Sequence, residues 1–268
     1  MKQDDSTVLV RCVGAQVRML REAAGMTRAQ LGRLVDYSEH QVKSVEIGQR
    51  IPSDQFIDKA DEVLGAKGLL TAFLPYLTEV RYPKFFAKFP VLEAKALSVH
   101  SYQAMLIPGL LQTEEYARAL FRTAFPPPSD DVIEKRVTAR LDRQEILKRQ
   151  PPPLLGYVIE ESALRRPVGG VGVLKRQLRR LLECASMRNV SIQVMPTVQE
   201  NHAGLNGPMV LLELPDQELV YIESQADGIF ISDRAKVRAM NQRYGILRAQ
   251  ALSPGESATF IEKWMGEL

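Results

Sequence analysis

Cysteine is scarce in this chain. Cys12 and Cys184 are the only two, far apart and without metal-type spacing, which excludes a disulfide framework and a cysteine zinc site. Both read as ordinary buried thiols, so a reducing compartment is expected. No run of residues approaches the ~18 consecutive apolar positions that a membrane-spanning helix needs. The first ten residues carry Asp4 and Asp5 and lack the apolar stretch of a signal peptide, so the expected location is the cytoplasm. No HExxH, GxSxG or phosphate-loop pattern is present. The sequence is therefore not expected to be an enzyme, and no cofactor or metal is implied. A large charge of one sign is also missing. The net charge is +3, and residues 1–79 hold 10 Lys/Arg against 11 Asp/Glu, leaving 25 against 21 for residues 80–268.

What is present is an ordinary globular composition, 45% hydrophobic and 25% charged, on a chain of 268 residues, long enough for two domains. Val10, Val13, Val17, Leu20 and Ala24 recur in steps of three and four, the stripe of a first helix, and Gly25 follows as a left-handed terminator. Thr27-Arg28-Ala29-Gln30 matches a capping box and opens a short second helix with Leu31, Leu34 and Val35 inward. A second box, Ser38-Glu39-His40-Gln41, opens a third helix over about 38–47, with Val42 and Val45 inside and Gly48 at its end. Pro52 and Ser53 start a fourth helix that buries Phe56, Ile57, Ala60, Val63 and Leu64. Leu69, Leu70, Phe73 and Leu74 predict a short fifth.

The second and third helices are only two to three turns each and are joined by two or three residues. Such a connection forces a steep crossing and leaves the N-terminus of the third helix protruding. The run GMTRAQLGRLVDYSEHQVKSVEIGQRIPS resembles the Cro/repressor (XRE-type) helix-turn-helix family over about residues 10–74. The resemblance implies double-stranded DNA as partner and puts Glu39, His40, Gln41 and Ser44 on the groove-facing side of the third helix. The chemistry agrees: Gln41 can pair with adenine, His40 can donate to guanine or bind phosphate, and Glu39 can accept from cytosine. Arg28, Lys43 and Arg50 are the expected phosphate contacts, with a solvated surface cation as the alternative for Lys43 and Arg50. Arg21 and Glu46 occupy the positions that form a structural ion pair in that family. One such head reads few base pairs, so a homodimer is expected.

Residues 79–96 read as a linker. It includes the aromatic, basic stretch YPKFFAKFP, taken as a helix packing its phenylalanines, with a membrane-surface or nucleic-acid segment as the alternative. Beyond it, strands are expected at 96–102, 154–160 and 190–195, and as a hairpin at 209–214 and 218–223. Helices are expected after Thr113 and at 131–149, 173–187, 232–250 and 255–266. Short apolar strands alternating with helices predict an α/β (α+β) domain over 97–268, after an all-α domain over 1–78.

The segments MLIPGLLQTEEYARAL, ARLDRQEIL, YVIEESALRRPVGG, VSIQVMP, HAGLNGPMVLLELP and VYIES resemble the C-terminal domain of actinobacterial WhiJ-like regulators. The resemblance implies a regulatory, ligand- or partner-binding role and a small acidic protein as a partner. Two basic helix faces fit an anionic partner: Arg136, Arg140 and Arg143, and Lys175, Arg176, Arg179 and Arg180. A solvated face is the plainer alternative for each. The best catalytic constellation, Glu160, Glu161, Arg165, His202 and Glu223, has no recognisable spacing, and His202 lies in a loop composition where a histidine orders the turn. The reading is a DNA-binding transcriptional regulator. An antitoxin-like or scaffold protein, or an enzyme fused to a DNA-binding head, are the competing classes.

Overall fold

The computed structural model describes residues 5–81, 88–223 and 228–268, with the side chains of 5–7 and 78–81 left aside. The chain divides into two compact units: Met1–Ala87 with Asp130–Asp142, and Lys88–Ser129 with Arg143–Leu268. Most of the aromatic, basic stretch, residues 82–87, lies outside the described residues.

In the first unit, the head, the described residues up to Arg81 form α1 (Asp5–Ala23), α2 (Arg28–Leu34), α3 (Glu39–Glu46), α4 (Asp54–Val63) and α5 (Leu74–Arg81). A 3-10 turn, Thr71–Phe73, precedes α5. The starts of α2, α3 and α4 are set by side chains that satisfy the orphan N–H groups of a first turn. Thr27 and Ser38 each make a complete capping box, with Gln30 and Gln41 respectively, and Ser53 caps α4. Gly25, Gly48 and Gly65 follow α1, α3 and α4 with φ of 66°, 70° and 62°. One core gathers Val10, Val13 and Val17 of α1 with Leu31, Val35, Val42, Val45, Phe56, Ile57 and Ala60. Leu34 departs from expectation and is exposed. Leu31 and Val35, four residues apart, centre the inner face of this short helix and leave Leu34 at its edge.

The second unit is built on a six-stranded sheet. It opens with α6 (Lys88–Lys95), whose Phe89 is buried against the Tyr221 ring at 4.5 Å. Then come β1 (Ser98–Gln103), α7 (Glu114–Arg122), α8 (Asp130–Arg143), β2 (Leu154–Glu160), α9 (Glu161–Arg165), α10 (Val171–Ala185) and β3 (Val190–Met195). The chain closes with β4 (Met209–Glu213), β5 (Glu218–Glu223), β6 (Gly228–Ile231), α11 (Arg234–Gln250) and α12 (Pro254–Glu267). Residues 130–142 of α8 group with the head.

The strand order is β3-β2-β1-β4-β5-β6. β1, β2 and β3 run parallel, and β4, β5 and β6 pair antiparallel. Parallel neighbours require a crossover of a dozen or more residues, which is why long helical segments separate β1, β2 and β3. The β4–β5 hairpin lies where the sequence placed it, at 209–214 and 218–223, whereas β6 had no expected counterpart. α10 and α12 pack on each other and on β3, and α11 lies against β5 and β3. The architecture is thus a helical N-terminal domain followed by an α+β region.

Candidate nucleic-acid interface

The α2–turn–α3 unit is held by two close backbone approaches. A Cβ on Gly32 would lie 2.3 Å from the Tyr37 carbonyl oxygen, and one on Gly14 of α1 would lie 2.3 Å from that of Val45. Only glycine lets α1 cross α3 and the turn fold back on α2 at this distance. Val42 and Val45 are fully buried, which fixes the rotation of α3 and decides which residues face out.

On the outward side Glu39, His40 and Lys43 are exposed, and Gln41 and Ser44 are half-buried. Two of these five are engaged locally. The Ser38 N–H donates to Gln41 Oε1 at 2.8 Å, the reciprocal half of the capping box. Ser44 Oγ donates to the His40 carbonyl one turn back at 2.9 Å. To read adenine with both ends of its amide, Gln41 must release the cap. The exposed groups at the tip of the helix are Glu39 and His40.

Glu46 closes α3 from inside, with its side chain fully buried. Its Oε1 accepts from Arg21 Nε at 2.5 Å, and its Oε2 accepts from Arg21 Nη2 at 3.2 Å and Arg28 Nε at 2.6 Å. Arg21 also donates from Nη1 to the Met26 carbonyl at 2.7 Å. The bond to Glu46 raises the Arg21 pKa against the opposing effect of burial. The expected Arg21–Glu46 pair is therefore present, within a cluster in which Glu46 joins Arg21 of α1 and Arg28 of α2 to α3 and Glu22 also accepts from Arg21 Nη2 at 3.3 Å.

Two of the three expected phosphate contacts are occupied. Arg28 spends its Nε on Glu46 and keeps its side chain about a third exposed. Arg50 donates from Nη2 to Asp142 Oδ1 at 2.8 Å, and its guanidinium lies 5.2 Å from the Tyr37 ring centre. Asp142 is 92 residues away in sequence, and no local pattern marks it as a partner. Lys43 alone of the three stands out from the surface.

The basic faces of the second half are corrected similarly. Arg143 does not belong to an open face: it forks onto Glu93, Nε to Oε2 at 2.8 Å and Nη2 to Oε1 at 3.0 Å, with both side chains under a tenth exposed. Arg136 and Arg140 are half-buried in the head unit. On α10, Arg176 pairs with Glu115 at 2.5 Å and Arg180 with Glu183 at 3.4 Å. Arg179 is exposed and Lys175 is half-buried.

The catalytic constellation splits into two separate contacts, Glu160 with His202 and Glu161 with Arg165, and Glu223 joins neither. The Gly204 N–H donates to His202 Nδ1 at 2.8 Å, so the ring hydrogen sits on Nε2 and is donated to Glu160 Oε1 at 2.6 Å. Tyr102 also donates to Glu160 Oε1, at 2.9 Å, and burial followed by this carboxylate raises its pKa, which keeps the phenol a donor. These residues latch the loop that leaves β3, crosses the ends of β2 and β1 and enters β4. Gln250 adds to the latch by accepting from the Ala203 N–H at 3.0 Å and donating to the Asn201 carbonyl. Glu161 is elsewhere, accepting from Arg165 at 2.6 Å and from the Thr197 N–H at 3.0 Å, and Glu223 is exposed at the end of β5. Among the described residues no group of three His, Cys, Asp or Glu side chains could hold a metal ion. No described helix is long and apolar enough to cross a membrane.

Comparison with known families fits the two halves. Residues 13–74 match the model of a helix-turn-helix domain, the region from α1 to the start of α5. Residues 86–263, about two thirds of the chain, match a model described as a domain of unknown function, DUF5753. No curated protein and no solved structure matches the chain. With a helix-turn-helix domain in front, the chain belongs to the DUF5753 family.

Proposed function

We propose that this protein is a sequence-specific, dimeric, cytoplasmic transcriptional regulator of the XRE type that lays α3 in the major groove of DNA. The observation that carries the reading is the arrangement of α3. Its valines are buried, its last residue is locked to α1 and α2 through Glu46, and its N-terminal tip leaves Glu39 and His40 exposed. A rigid helix with an unencumbered polar N-terminus is what base reading in the major groove requires. In this reading Glu39, His40, Gln41 and Ser44 face base edges, and Lys43 contacts phosphate together with the outer nitrogens of Arg28. A homodimer supplies two half-sites about 34–36 Å apart, centre to centre. The DUF5753 region is a WhiJ-like sensory or partner-binding domain rather than an enzyme. A small acidic protein is its proposed partner, supported by the exposed Arg179 and the neighbouring Lys175.

The test is an unbiased selection of binding sites with the full chain, followed by salt titration of the selected duplex. An enriched inverted repeat is expected. Lys43→Ala should weaken binding to all sequences and lower the log–log salt slope by about one, while His40→Ala should relax preference at one base pair with the slope unchanged. Failure of the folded chain to enrich any motif would overturn the reading.

A further inference from the structure

We propose that Asp142 is an intramolecular phosphate mimic: its carboxylate occupies the guanidinium of Arg50 in the free protein and holds that phosphate contact back from DNA. The inference rests on the DNA-binding reading above and adds a regulatory contact to it.

Arg50 is well placed for a backbone contact. It lies in the loop that follows α3, and its own N–H and that of Gln49 both donate to the Ser44 carbonyl, at 3.0 Å and 2.9 Å. Its main chain is thus locked to the end of the recognition helix, and only the side chain has a choice of position. That side chain lies over Tyr37, whose hydroxyl donates to Ser53 Oγ at 3.2 Å at the start of α4. Among the described residues these attachments of Arg50 are local to the helix-turn-helix.

Asp142 is different. It comes from α8, which reaches the head after the sheet has begun, and its carboxylate meets Arg50 Nη2 at 2.8 Å with both side chains less than a quarter exposed. The bond is incomplete, because Arg50 Nε is buried without a hydrogen-bond partner. A guanidinium is best satisfied by a fork of two acceptors, which a phosphate supplies as readily as a carboxylate. Arg50 therefore has one anion in hand and spare donor capacity for another. A DNA phosphate approaching it meets a neutralised cation and a carboxylate. The contact becomes conditional on where the end of α8 lies, which makes the head's affinity adjustable by anything that shifts this helix.

The experiment is a double-mutant cycle on DNA affinity, using the full chain and the selected duplex across a salt series. Asp142→Asn keeps the shape and one acceptor but removes the charge. It is expected to tighten binding about fivefold or more, within the ordinary range of coupling between sites. The salt slope should steepen by about one as Arg50 gains its phosphate. In an Arg50→Ala background the same substitution should change nothing. Asp131→Asn, an exposed carboxylate on the same helix, should leave affinity as it is. A folding defect would weaken binding, opposite to the expected direction. If Asp142→Asn leaves affinity and slope unchanged or weakens binding, or if its gain persists without Arg50, the inference fails while the DNA-binding reading stands. If the wild-type chain binds no sequence selectively, both fail.

Discussion

The head and the C-terminal unit each bury an arginine–carboxylate contact, and they build it differently. In the head one carboxylate, Glu46, serves two arginines from two other helices. In the C-terminal unit Glu93 meets Arg143 in a fork, with the Phe89 ring 5.6 Å from the guanidinium. The first joins the helices that present α3 through a carboxylate that both arginines share. The second is a forked contact beside an aromatic face. A buried charge therefore does two jobs in this molecule, fixing the geometry of a functional helix in one place and filling a core in the other.

The sharpest test of that contrast is truncation. Glu46→Ala should cost about 3–5 kcal/mol by chemical denaturation and abolish DNA binding, because the buried Arg21 loses its two contacts to Glu46 and keeps only the longer one to the half-exposed Glu22. Arg143→Ala should cost about 3 kcal/mol for the same reason, yet the apolar pair Glu93→Leu with Arg143→Met should recover all but about 1 kcal/mol. If the apolar pair is as unstable as the single variant, the two contacts are not different in kind.

Crowding comes next. Gly14→Ala places a methyl against the Val45 and Glu46 carbonyl oxygens, both backbone atoms that cannot swing aside. A loss of roughly 1–3 kcal/mol is expected, with DNA affinity falling further than stability as α3 is displaced. An unchanged affinity would show that the α1–α3 crossing does not set the position of the recognition helix.

A smaller effect should be visible in acid. Asp61 accepts from the N–H groups of Gly68, Leu70 and Thr71 at 2.7, 2.8 and 3.2 Å, knitting the turn before α5. Burial pushes its carboxyl up, but the three donors outweigh this and leave its pKa lowered. The sign follows: the stabilisation is fully present above the unfolded pKa of about 3.9 and is lost as pH falls through the lower folded value. Asp61→Asn should cost about 1–2 kcal/mol at neutral pH, and the gap from wild type should close as the carboxyl protonates in acid. A gap that stays constant into acid would mean the carboxylate charge contributes nothing.

Gln41→Ala carries the smallest stability effect, about 0.5–1 kcal/mol from the lost half of the capping box. Its interest lies in specificity, which thermal melting and site selection together resolve. A change in preferred bases larger than the stability loss explains would assign Gln41 to base reading. A stability loss alone would leave it as a cap.

Much of this was legible in the sequence because it is local. Capping boxes at Thr27 and Ser38 involve residues three apart, the valine stripes follow helical period, and the strands at 154–160, 190–195 and 218–223 coincide with short apolar runs. The Arg21–Glu46 pair was legible only through a family resemblance. Arg50, Arg28 and Arg143 were readable as cations on particular faces but not as occupied ones, since their carboxylates come from 92, 18 and 50 residues away. Helical spacing says which side chains share a face and says nothing of what another segment brings to it.

The sequence by itself thus determined the helix starts, the burial of α3 through Val42 and Val45, and the order of helical head and α+β region. Capping and burial of an amphipathic face are decided within a few residues of chain. Only the tertiary structure decided which charges remain available to a ligand. A charge is satisfied by whichever opposite charge folding brings within about 3 Å, and that neighbour is chosen by the whole fold rather than by the residues beside it. Asp142 meeting Arg50, and Tyr102 and His202 meeting on Glu160, are the outcomes no local pattern specified.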